Sequence, residues 1–181
     1  MMKYRTNFET QPQQHQSSHL NGAKQIYMNE SNMNEQCILF LESVQNKIMH
    51  GTFTHVIYSN ELFSTKSIYY LFHINIINMG QFYNKNIYKF NPIQSSLTKI
   101  KCLEQCILSN YKHTMKNPNK TPDYKIQKNL NSGSIKIFTQ VQNAESYKNN
   151  NNNSNVQFCL KIIGIWESDT EYGIIYKFLL F

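Results

Sequence analysis

"LKIIGIWESDTEYGIIYKFLLF", Leu160–Phe181, decides how the rest of the chain is read. Two apolar runs rich in Ile, Tyr and Phe flank a short polar connection, and that composition favours strands over helices. A hairpin is therefore expected, with Ile162, Tyr176 or Phe178 packing on one face and Lys161 and Lys177 left on the other. The acids of the connection, Glu167, Asp169 and Glu171, would repel a polyanion and are expected to point away from one. Trp166, the single tryptophan, ends the first run, where it either closes the core or stands free as a stacking surface.

Working upstream, "SGSIKIFTQVQN" (132–143) alternates strictly. Ile135, Ile137, Thr139 and Val141 share one face, and Lys136, Phe138 and Gln140 share the other. The period changes in "SSLTKIKCLEQCILSNYKH" (95–113), where Leu97, Ile100, Leu103, Glu104, Ile107, Leu108 and Tyr111 recur at three and four. That stripe predicts a helix, with Ser95 or Ser96 as its N-cap, and it is the one helix expected. "KNPNKTPDYKIQKN" (116–129) holds two prolines and is read as a basic loop. Further upstream, "CILFLESV" (37–44), "TFTHVIYS" (52–59) and "SIYYLFHINII" (67–77) read as strands. In the third, Ile68, Tyr70, Phe72, Ile74 and Ile76 fall on one face, and Tyr69, His73 and Asn75 on the other. Strands, one helix and three more strands predict a mainly β protein. The order is that of an OB-like five-stranded barrel with one helix and embellishments, although a small sandwich gives a similar string.

The chain of 181 residues suits one domain, expected over 35–181, after a polar leader over 1–34 that lacks apolar periodicity and reads as disordered. The Asn-rich run 149–155 reads as a solvated insertion between strands. Most of the +7 net charge falls in one place: residues 95–155 hold nine lysines against three acids. Such an excess favours a polyanionic partner, because lysines that neutralise phosphates release condensed counterions; a solvated basic surface is the plainer alternative. Four scattered cysteines, Cys37, Cys102, Cys106 and Cys159, make no disulfide scaffold and no zinc-like spacing, so reduced thiols and no metal are expected. No signal peptide or apolar run of membrane-spanning length is present, which predicts a cytoplasmic protein with no membrane partner.

Three pieces carry a resemblance: Ser134–Phe138 ("SIKIF"), Gly164–Trp166 ("GIW") and Tyr172–Lys177 ("YGIIYK"). Together with the preceding helix and the proline-containing basic stretch, they resemble the C-terminal pattern of single-stranded-DNA-binding proteins of large cytoplasmic DNA viruses and of yeast cytoplasmic linear plasmids. Tyr176 stands where many relatives carry Trp. The likeness covers roughly residues 97–181. It implies an OB-type fold and a protein that coats and protects single-stranded DNA during replication, largely without sequence preference. It further implies no catalysis and no cofactor. Telomere-capping OB subunits share the fold and would keep the biochemistry while changing the biology.

Sequence-independent binding of single strands needs aromatic faces for bases and cations for phosphates. The candidates for stacking are Tyr69, His73, Phe138 and Trp166, and Tyr124, flanking the basic loop, is a further DNA-binding candidate. Those for the backbone are Lys112, Lys116, Lys120, Lys125, Lys128, Lys136 and Lys177. The expected partners are single-stranded DNA, replication proteins and further copies of the chain on DNA. An enzyme is not expected, since the 11 acids are scattered, the six histidines show no paired spacing and the six glycines form no phosphate-cradling loop. The remaining alternative is a small β-domain that uses its basic surface to contact an acidic protein, with no nucleic-acid role.

Overall fold

The computed structural model describes residues 19–20, 23–46, 50–115, 119–138 and 154–181. Its strands are β1 (His19–Leu20), β2 (Ala23–Lys24), β3 (Ile38–Phe40), β4 (Val44–Gln45), β5 (Thr52–Ser59), β6 (Ser64–Thr65), β7 (Ile68–Phe82), β8 (Lys85–Phe90), β9 (Thr121–Asp123), β10 (Ser134–Phe138), β11 (Ser154–Glu167) and β12 (Glu171–Leu180). A 3-10 turn, Glu35–Cys37, precedes β3, and the α-helices are α1 (Ser95–Lys112) and α2 (Lys125–Asn131). The protein is thus mainly β, as expected. Strand β5 coincides with the run read from the sequence, and β12 and the closing hairpin agree with it closely.

The main sheet runs β10-β8-β7-β11-β12-β9. All its pairings are antiparallel except β9 on β12. Strand β11 is its axis: Ser154–Ile162 pair with β7, Gly164–Glu167 with β5, and β12 lies along the opposite edge. Strands β3, β4 and β6 attach to β5. Closure into a barrel is not formed. Strand β10 lies beside β12 without a ladder, and α2 bridges the two. There the Tyr176 hydroxyl accepts from the Asn129 amide and donates to the Lys125 carbonyl, and burial pushes its pKa up to about 12.

The inner face of the sheet is the core. Ile68, Tyr70, Phe72, Ile74 and Ile76 of β7 are all buried, as their alternation predicts, and the α1 stripe from Leu97 to Tyr111 packs with them. Phe158, Leu160 and Ile162 of β11 join the same cluster.

Several readings are corrected. The basic stretch read as a loop is ordered secondary structure from Thr121 onward: Pro122 lies within β9, and Ile126 and Leu130 anchor the short helix α2 in the core, while 116–118 lie outside the described residues. Pro122 does not interrupt that helix, which starts only at Lys125. Helix α1 is not capped by a serine. Its N-cap is Gln94, whose side chain accepts from the Asn75 N–H and donates to the Asn75 carbonyl, standing in for a strand partner of β7. The strand read over 67–77 continues to Phe82, turns through Tyr83 and Asn84 and returns as β8, a strand not anticipated. Within the stretch assigned to the leader, Met28 is buried in the core, and its backbone bonds both Tyr69 and Leu71. Asn155, at the end of the Asn-rich run, is a strand residue paired with Asn75, whereas 149–153 lie outside the described residues.

Candidate nucleic-acid interface

One place on the outer face, away from the core, gathers aromatic rings and cations: the β7–β8 hairpin and the edge strand β10. Cross-strand register puts Phe82, Lys85 and Phe138 in one row and Gly80, Ile87 and Lys136 in the next. Asn78, Lys89 and Ser134 form the third. Phe138 is 63% exposed and Phe82 62%. The Lys85 ammonium lies 4.6 Å from the centroid of the Phe138 ring, within cation–π range. In the middle row Gly80 leaves a gap, since a Cβ placed there would meet nothing within 4 Å. The rows therefore frame an open patch with rings at one end and lysines along it.

The hairpin tip adds a second observation. Tyr83 is 84% exposed and has a φ of 53°, in the left-handed region that favours glycine. Holding a non-glycine residue there costs roughly 1–2 kcal/mol. The Tyr83 ring packs edge-on against Phe82 at 4.6 Å and gains little burial in return.

The residues singled out in the sequence scatter around this patch. Lys136 and Phe138 belong to it. Tyr69 and His73 lie farther along the same face of β7, His73 exposed and Tyr69 beneath Lys161. Lys177 is exposed on β12. Lys112, at the last turn of α1, and Lys125, opening α2, are exposed elsewhere. Lys128 is exposed but bonded to Asp123 at 2.8 Å. Lys116 lies outside the described residues.

Three candidates are placed differently from expectation. Lys120 is spoken for: its ammonium binds Glu167 Oε1 at 2.7 Å and the Ser168 carbonyl, and its side chain is 13% exposed. Glu167 accordingly turns inward and does not sit at an outward acidic tip. Its other oxygen accepts from the Tyr111 hydroxyl, which also meets Thr54, and burial raises the Tyr111 pKa. Tyr124 is half-buried against the core as the N-cap of α2, not a free ring. Trp166 is half-buried on the outer face across from Gly173, its indole covering that residue so closely that a Cβ there would fall 2.8 Å from Nε1. The ring thus fills the space a side chain would take.

Phe82, Tyr83, Lys85 and Lys89 were not foreseen. The signal was present in "QFYNKNIYKF" (81–90), two aromatic runs around a short polar turn. Among the described residues no cluster of His, Cys, Asp or Glu could hold a metal, the four cysteines are free, and no helix is long and apolar enough to cross a membrane. The chain matches no protein-family model, and no curated protein or solved structure is significantly similar to it.

Proposed function

We propose that the protein binds single-stranded DNA through the outer face of the β7–β8 hairpin and β10, coating it during replication without reading its sequence. The observation that carries this reading is the row Phe82–Lys85–Phe138, two exposed rings with a lysine between them, and the exposed Lys136 and Lys89 in the rows behind it: the equipment for stacking bases while holding phosphates. Duplex DNA hides its base faces, so flat exposed rings favour single strands. The strained, exposed Tyr83 fits the same use, because a costly conformation that does not serve packing commonly serves a ligand.

The strand order supports an OB-like ancestry for the site. Taking β7, β8, β10, β11 and β12 as five strands, the second lies between the first and third, and the fourth between the first and fifth. The third and fifth run parallel side by side without a ladder, and OB barrels are commonly open. In that scheme the patch occupies the second and third strands and the first connecting loop, where OB domains take oligonucleotides. The helices depart from the usual scheme by standing between the second and third strands.

A second reading, a protein-binding β-domain, has one observation in its favour: Leu39, Leu41 and Val44 are exposed together around β3 and β4. Fluorescence anisotropy with labelled oligo-dT and with duplex DNA decides between them. The expected result is binding to dT that weakens steeply with salt, with weaker binding to duplex. Phe138→Ala should weaken dT binding by about 1–3 kcal/mol while leaving the thermal transition in place. No salt-sensitive binding, or equal binding of duplex and single strand, would exclude the proposal.

A further inference from the structure

A second group of cations on the outer face is paired with no acid among the described residues. Lys161 of β11 and Lys177 of β12 are cross-strand partners in a single row, and Tyr69 of β7 completes that row on the other side. The Lys161 ammonium lies 4.9 Å from the Tyr69 ring centroid. Lys99, Lys120 and Lys128 each have a carboxylate partner, but Lys161 and Lys177 form no ion pair among the described residues. Like charges directly opposite each other on neighbouring strands destabilise a sheet. An anion placed between them would reverse that cost. Aromatic rings border the spot, because Tyr27 packs edge-on against both Tyr69 and Phe181.

Strand β7 links this spot to the hairpin patch. Tyr69 and Phe82 differ by an odd number of positions and would face opposite ways in a regular strand. The register shift between Ile76 and Asn78 absorbs one residue, so Asn78, Gly80 and Phe82 emerge on the same outer face as Tyr69 and His73. At about 3.3 Å per residue the two ends of that face lie roughly 40 Å apart along the strand.

We infer that Lys161 and Lys177, with Tyr69, form a second phosphate-binding station, and that a single strand held at the hairpin patch runs along β7 to reach it. This rests on the single-stranded-DNA reading above. A short oligonucleotide occupies the hairpin patch alone, and only a longer one gains the lysine pair.

The test compares the full chain with its Lys161→Gln/Lys177→Gln variant, using labelled dT of about 4 and about 16 nucleotides, the ends of the range for one OB-type domain. The variant should bind the short oligomer as the native chain does and lose about tenfold in affinity for the long one at low salt. Its salt slope on the long oligomer should be shallower by about 1.4, at about 0.7 per phosphate contact. Its melting temperature should hold or rise, since a repulsion has been removed. Equal losses at both lengths, no loss at either, or a lower melting temperature would overturn the inference while leaving the hairpin site standing. If the native chain binds neither length, the single-stranded-DNA reading falls and this inference with it.

Discussion

Glu104 is a charged side chain inside the core, and its place explains why the helical stripe includes an acid. Its two carboxylate oxygens accept the backbone N–H groups of Ile126 at 2.8 Å and Gln127 at 2.7 Å, satisfying orphan donors at the start of α2. Burial is the largest influence and raises its pKa, against those same hydrogen bonds, which lower it. A carboxyl whose folded pKa lies above its unfolded value contributes stability below the unfolded value, and that contribution is lost as pH rises through the folded one. Glu104 should therefore make the protein less stable at neutral pH than near pH 5. Glu104→Gln presents an N–H₂ to one of those donors, leaving it unsatisfied, and should cost about 1–3 kcal/mol. Urea unfolding of both proteins across that pH range measures the cost and shows whether the pH dependence disappears with the carboxyl.

For the elements, the lesson lies in where regular alternation stops. The inward residues of β7 up to Ile76 were legible because every second side chain is apolar. Beyond it, Ile77, Asn78 and Met79 break the pattern, and the bulge that restores the outer face at Asn78 depends on pairing with β8, which no local pattern reports. The hairpin was lost to the sequence reading for that reason. Helix α2 was hidden differently: it spans only seven residues, and its N-terminal donors are met by Glu104 from α1 and not by a local cap. The hairpin tip offers a test with opposite signs. Tyr83→Gly relieves the left-handed strain and should stabilise the fold by about 1 kcal/mol. It also removes an exposed ring and should weaken dT binding by a similar amount. Thermal unfolding and anisotropy on one variant read both, and a loss of stability would mean the ring serves packing.

At the scale of the whole molecule, composition and strand content pointed to a mainly β domain, while the placement of charge was readable only in part. The lysine excess over 95–155 drew attention to a basic stretch, yet Lys120 and Lys128 there are matched by Glu167 and Asp123. Pairing across the chain, not local count, decides which cations remain available, and Lys85, Lys89 and Lys161 lie outside that stretch altogether. The domain edge shows the same dependence on distant contacts. Removing residues 1–34 takes away Met28, buried beside β7, together with its two backbone bonds, and should cost about 2–5 kcal/mol. Denaturant unfolding of the shortened chain checks this, and unchanged stability would return the boundary to residue 35.

The strand at the middle of the sheet is among the last in the sequence. Ser154 meets Ile76 and Glu167 meets Thr52, so β5 and β7 wait for most of the polypeptide before their central neighbour exists. During synthesis their apolar faces have only local partners. Productive assembly must follow closure of a long loop, whose entropy is lost before any ladder bond returns it. Folding should accordingly be slow for a protein of this size, with the β7–β8 hairpin as the part able to form early. The interval before β11 arrives is when this chain is most exposed to aggregation.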